Sequence, residues 1–223
     1  MKIKTYEDME LTTVSQTILP QEVISMGLHT CIKKDTPDFC YLTEDQGMYL
    51  IEAGHMSPLE HASMSIYVKG ISRSLLAQVT RHRTFKFTAS SQRYQDYSDY
   101  EMVISNNVKQ SEGFEYSFYK VQLEESMSAY KYAIEQGTPK GEARQLLPNA
   151  MAVNLLITAD ARNMVNFFRQ RMCARCSEEM QIFANKWYAI ALKWLPEVFK
   201  FVGPPCFMEG DCNQGKMKSR DCK

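Results

Sequence analysis

From Ala62 to Lys69 apolar and polar residues take strict turns. Ala62, Met64, Ile66 and Val68 alternate with Ser63, Ser65, Tyr67 and Lys69. Successive side chains of an extended chain point to opposite faces, so this beat specifies a strand with one buried and one wet face. Such a strand needs backbone partners and an apolar layer against its buried side, so the chain must contain a sheet. The period then changes. Gly70 closes the strand, Ser72 is placed as an N-cap, and Leu75, Leu76 and Val79 recur at helical spacing in a segment running into Arg81-His82-Arg83.

Most of the remainder reads as helix. Strand character in Met1–Tyr6 and Leu11–Leu19 ends at Pro20, and Asp45–Ala53 reads as a short helix stopped by Gly54. Residues 96–113 are polar and turn-rich. A long helix from Phe114 to Gln136 is closed by Gly137, and Pro139 suits the first turn of another that carries Arg144 and ends at Pro148. Ala150–Thr158 is an apolar run that fits a buried strand or a helix. Asp160–Arg175 and Ser177–Trp194 read as two further helices, and a loose tail follows Gly203. The class is α+β, with a mixed or antiparallel sheet packed against several long helices. The expected organisation is one domain over residues 1–203 and a cysteine-containing tail over 204–223.

Composition removes several function classes. The chain has 223 residues, 44% hydrophobic and 23% charged, values of ordinary folded protein. Lysine plus arginine and aspartate plus glutamate both number 26, so the net charge is zero, unlike that of a general nucleic-acid binder. No apolar run approaches the roughly 18 residues of a membrane span. The N-terminus turns acidic where a signal peptide needs its apolar segment, so a cytoplasmic protein is expected. Seven cysteines cannot all pair internally, and reduced thiols are the expectation. Cys206, Cys212 and Cys222, with Cys173 or Cys176, have the number of thiolates that zinc takes, but at looser spacing than two CxxC knuckles. They are read here as free thiols on a tail, with no metal site.

The zero net charge hides two cationic stretches. From His61 through Gln95 there is no acidic residue, while Lys69, Arg73, Arg81, Arg83, Lys86 and Arg93 are present. From Ala161 through Ser177 there is again none, while Arg162, Arg169, Arg171 and Arg175 are. The guanidinium is a fixed fork of donors that matches phosphate and carboxylate, so these stretches point to a localised anion site. Within the first, Ser90 and Ser91 add hydroxyl and backbone donors, and Phe85, Phe87 and Tyr94 add aromatic surface for a ring system.

The run RHRTFKFTASSQRY resembles the RHR-x7-S signature of the flavin-dependent thymidylate synthases. GHMSPLEH upstream is similar to that family's G-H-x-[ST]-P-x-E-H segment, EARQLLP to its A-R-x-x-L-P, and DARNMVNFFRQR to its N-A-R-x-x-x-N-F-x-x-x-R. Order and spacing agree over roughly residues 47–180. The sequence departs from the family at Lys86, Thr88 and Ala89, where a serine, an asparagine and a glutamate are usual. It departs again at Asp160 for asparagine and at Arg175 for histidine.

The resemblance implies reductive methylation of dUMP to dTMP, with methylenetetrahydrofolate as the carbon donor and FAD, reduced by NADPH, as the hydride source. It implies that Ser57, Arg81, His82, Arg83, Asp160, Arg162 and Asn166 contact FAD and that His55 lies on the flavin and folate side. Gln78, Arg81, Ala89 (through its backbone), Ser90, Ser91, Arg93, Arg144 and Arg171 would hold the nucleotide, with Arg171 facing the pyrimidine ring. Arg171 and His55 are the catalytic candidates. A homotetramer with sites shared between subunits is implied too. The rival readings are a related flavin- and folate-dependent enzyme that methylates or hydroxymethylates another pyrimidine nucleotide, and a non-enzymatic RNA-binding module.

Overall fold

The computed structural model describes residues 2–32, 40–111, 114–212 and 214–218. Its strands are β1 (Lys2–Thr5), β2 (Glu10–Gln16), β3 (Ser63–Ser72), β4 (Lys86–Ala89), β5 (Glu101–Ile104) and β6 (Ala152–Asp160). The helices of the N-terminal half are α1 (Pro20–Ile32), α2 (Glu44–Glu52), α3 (Arg73–Val79) and α4 (Asn106–Gln110). Those of the C-terminal half are α5 (Phe114–Glu135), α6 (Lys140–Ala143), α7 (Ala161–Arg171), α8 (Glu178–Trp194), α9 (Pro196–Phe199) and α10 (Pro205–Met208). A four-stranded sheet has the order β2-β3-β6-β4, and a second pairs β1 with β5 in parallel. The α+β expectation holds, and the apolar run beginning at Ala150 resolves as strand β6 from Ala152 on.

The chain divides into two compact units, interleaved in sequence: residues 1–12, 67–81 and 87–156, and residues 13–66, 82–86 and 157–223. The first contains the β1–β5 ladder, with Lys2 opposite Glu101 and Thr5 opposite Ile104. Glu101 receives Lys2 Nζ at 3.2 Å and Lys4 Nζ at 2.7 Å. Met102 and Ile104 of this ladder pack with Leu123, Met127 and Tyr130 of α5, where Tyr130 Oη accepts a hydrogen bond from Tyr97 N at 3.3 Å. The core of the second unit is aromatic. Phe167 and Phe168 of α7, Phe183 and Trp187 of α8 and Phe199 of α9 are all fully buried.

The alternation that opened the sequence reading is realised in β3, where Met64, Ile66 and Val68 are wholly buried. Ser72 caps α3, its hydroxyl accepting from Leu75 N at 3.0 Å. Three local readings change. Gly70 does not end β3. It bends the strand at a φ of 71°, open to glycine because it lacks a Cβ, and the strand continues to Ser72. The α3 helix stops at Val79, where Thr80 Oγ1 bonds back to the Leu76 carbonyl at 2.9 Å, so Arg81-His82-Arg83 lies beyond the helix in a turn. The α7 helix ends at Arg171 rather than Arg175, because Cys176 N turns back to the Cys173 carbonyl at 2.9 Å.

The described part of the segment after Gly203 makes defined contacts. Pro205–Met208 is helical, Glu209 pairs with Arg169, and Gln214 accepts from Arg175. Among the described residues no three His, Cys, Asp or Glu side chains gather as metal ligands; Cys222 lies outside them. No helix among the described residues is long and apolar enough to cross a membrane.

Candidate functional site

Helix α7 organises the candidate site of the second unit. Asp160 starts it. Its Oδ1 accepts from Asn163 N at 2.8 Å and its Oδ2 from Asn163 Nδ2 at 2.6 Å, so this carboxylate caps the helix. The backbone of Ala161 donates to the Ala62 carbonyl at 2.8 Å, which fixes the helix start beside the 3-10 turn Ser57–His61. Glu60 of that turn pairs with Arg162. The upstream motif and the α7 motif are thus one assembly, with Ser57, Arg162 and Asn166 all exposed upon it.

The far end of α7 meets the RHR turn. Arg171 Nε donates to His82 Nε2 at 2.9 Å, which puts the proton of the neutral ring on Nδ1. The imidazole stacks on Phe85 with centroids 5.5 Å apart, and the edge contact with Phe167 is 4.9 Å. Burial first, and the Arg171 charge second, hold His82 down to a pKa of about 4 from the ordinary 6.5. At neutral pH His82 is therefore a fixed acceptor that orients a guanidinium, not an acid. Arg83, one residue on, is exposed. His55 is exposed too, its ring stacked on Tyr49 with centroids 5.6 Å apart.

This pair makes stability depend on pH. Below pH 6.5 the unfolded chain takes up a proton at His82 that the folded chain refuses until about pH 4. Stability is thus complete above 6.5 and falls as the pH drops through that window. The whole shift would be worth about 3 kcal/mol. Because the ring is partly exposed, a loss of about 1–2 kcal/mol is expected. Urea unfolding at pH 7.5 and pH 4.5 checks this, since His82→Gln should flatten that share of the loss; equal losses in both proteins would contradict it.

The residues expected to hold the nucleotide lie, apart from Arg171, in the first unit. Ser90 N donates to the Asn154 carbonyl at 3.0 Å, and its hydroxyl accepts from Asn154 N at 3.3 Å, so the start of this loop is tied to β6. Ser91 Oγ accepts from Arg93 N at 3.3 Å, and the Arg93 guanidinium lies over the Tyr94 ring at 5.7 Å. Arg81, Ala89, Arg93 and Arg144 are exposed, and Gln78 is half-buried on α3. The flavin candidates fall in the second unit, except Arg81.

Sequence reasoning missed Glu60 as the partner of Arg162, although it stands inside a recognised motif. It also missed Phe167, the wall behind His82, although FF sits inside DARNMVNFFRQR. Both were readable as motif members, but their partners lie far off along the chain.

A family model described as thymidylate synthase complementing protein matches residues 13–197. The flavin-dependent thymidylate synthase of Clostridium tetani is 33% identical over 185 residues, 75% of this chain and 73% of that protein. The enzyme of the same name from Nitratidesulfovibrio vulgaris is 33% identical over 184 residues, covering 78% of this chain and 75% of its own. The chain belongs to the flavin-dependent thymidylate synthase family. Its fold is shared with a solved methylase. The crystal structure of the UMP/dUMP methylase PolB from Streptomyces cacaoi, bound with 5-Br dUMP, superposes with a TM-score of 0.77 over 90% of this chain and 96% of that one, at 19% identity.

Proposed function

We propose that this protein is an FAD-dependent thymidylate synthase that methylates dUMP to dTMP, with methylenetetrahydrofolate as carbon donor and NADPH as reductant. The observation that carries the reading is the joining of three separated motifs on one helix: Arg162 with Glu60, and Arg171 with His82.

The donor chemistry of the second unit fits the flavin. Ser57, Arg83, Arg162 and Asn166 are exposed hydroxyl, guanidinium and amide groups, a set that suits a pyrophosphate and a ring edge. Bound FAD would supply the hydride. His82, which also holds Arg171, and Asp160, which also caps the helix that carries these groups, complete the flavin contacts in this reading. Arg171 faces the pyrimidine ring in this reading and favours its ionised form. Gln78, Ser90, Ser91, Arg93 and Arg144 hold the rest of the nucleotide, and Ala89 offers its backbone alone. His55 serves the folate side. The protein acts as a cytoplasmic homotetramer whose sites draw on more than one subunit.

Purified protein is expected to be yellow, or to become so with FAD. It should form dTMP from dUMP when folate and NADPH are present. A visible spectrum without flavin bands, and no binding of added FAD, would remove the reading. The structural relative from Streptomyces cacaoi is named for UMP as well as dUMP, so UMP belongs in the same assay. Faster turnover of UMP would move the assignment to a ribonucleotide methylase.

A further inference from the structure

The CxxC at Cys173 and Cys176 plays no part in the flavin or nucleotide reading. It occupies the turn that follows α7. Cys176 N donates to the Cys173 carbonyl at 2.9 Å, closing an i to i+3 turn. Such a turn keeps the two Cα atoms within about 7 Å, the limit for bridging by a disulfide. Both side chains are free thiols, and both are partly exposed.

Both cysteines line one cavity of about 560 Å³, together with Arg169, Arg175 and Asn166, the last of which the proposed function assigns to the flavin. Glu209 pairs with Arg169 and Gln214 accepts from Arg175, so the cationic wall already receives a carboxylate and an amide oxygen from the tail. An acidic molecule that enters here meets the same donors. The thiol of Cys176 also donates to the Gln170 carbonyl at 3.4 Å.

We propose that Cys173 and Cys176 form a redox couple that closes to an intramolecular disulfide by exchange with a low-molecular-weight acidic disulfide of the oxidised-glutathione class. Cys173, as thiolate, attacks one sulfur of the incoming disulfide. A mixed disulfide forms and one thiolate leaves. Cys176 then attacks the Cys173 sulfur, the intramolecular bond forms, and the second thiolate leaves. Two protein thiols are oxidised, one external disulfide is reduced to two thiols, and the two protein protons pass to the leaving thiolates. Burial pushes the Cys176 thiol up, against the opposing pull of Arg171, which suits the second and resolving role. Closure removes the Cys176 thiol from Arg171 and from the Gln170 carbonyl, so the two states give Arg171 different neighbours.

Trypsin reads the bond directly, because it cuts after Arg171, Arg175 and Lys186 and so separates Cys173 from Cys176. Native protein is incubated with oxidised glutathione, the remaining thiols are blocked, and the digest is analysed by mass spectrometry. Exposed Cys31 and Cys206 report that the oxidant has reacted. The expected result is fragment 172–175 joined to fragment 176–186, and released by dithiothreitol. In Cys176→Ser the first step still occurs, and glutathione should stay on Cys173. Free thiols at both positions while Cys31 and Cys206 are modified would overturn the proposal. So would glutathione carried separately on each cysteine, or Cys173 joined to Cys206 or Cys212. No step of this test depends on flavin or on turnover, so it stands apart from the proposed function.

Discussion

Arg171→Ala is expected to keep its FAD and to go on oxidising NADPH, while forming pyrimidine product at least about a hundredfold more slowly, the scale of one lost transition-state donor. The structure gives this guanidinium a defined pose. Nε is held on His82 Nε2 at 2.9 Å, and the ring behind it is packed by Phe85 and Phe167. A cation beside a pyrimidine favours the ionised ring and so raises electron density at the carbon to be methylated. That interaction grows as charge develops, so turnover should suffer more than binding. Lysine at 171 should rescue only in part, because a point charge reproduces neither the fork nor the Nε–H that His82 accepts. Parallel assays of NADPH consumption and of methylated nucleotide separate the two steps. Near-normal product formation by the alanine variant would remove Arg171 from the catalytic machinery.

What could be read from the sequence was what is encoded locally. The β3 alternation, the Ser72 cap, helix α5 and its stop at Gly137 each depend on residues within a few positions of one another. β5 was invisible for the opposite reason. Four residues, Glu101–Ile104, sit among aspartates, asparagines and serines, and they become a strand by pairing with β1 at the start of the chain. The short α4 shared that background. The site divides in the same way. The linear motif on α7 was legible, whereas the pairs that complete it span 102 positions for Arg162 with Glu60 and 89 for Arg171 with His82. The motif alone points His82 toward the flavin, and only the fold shows that its Nε2 is engaged by an arginine. Asp160, likewise, caps a helix with both of its oxygens.

Phe167→Ala is expected to cost about 3–5 kcal/mol of stability, the range for a large aromatic removed from a packed core. Phe167 is fully buried and its ring lies 5.2 Å from Trp187, 5.6 Å from Phe85 and 5.8 Å from Phe183. No one neighbour can fill the space, so the cavity should persist, and the urea midpoint should fall without a change in slope. The same ring is the edge that confines His82, so the damage should reach Arg171. Phe167→Leu keeps most of the volume and should stay folded, which lets the two effects be separated. In that variant product formation should fall by several fold while FAD remains bound. Combining it with Arg171→Ala should add nothing to the loss of rate, because the leucine acts through a guanidinium that is already absent. If the two losses multiply instead, Phe167 supports the fold alone, and the path from the aromatic core through His82 to Arg171 is not the one that sets the rate.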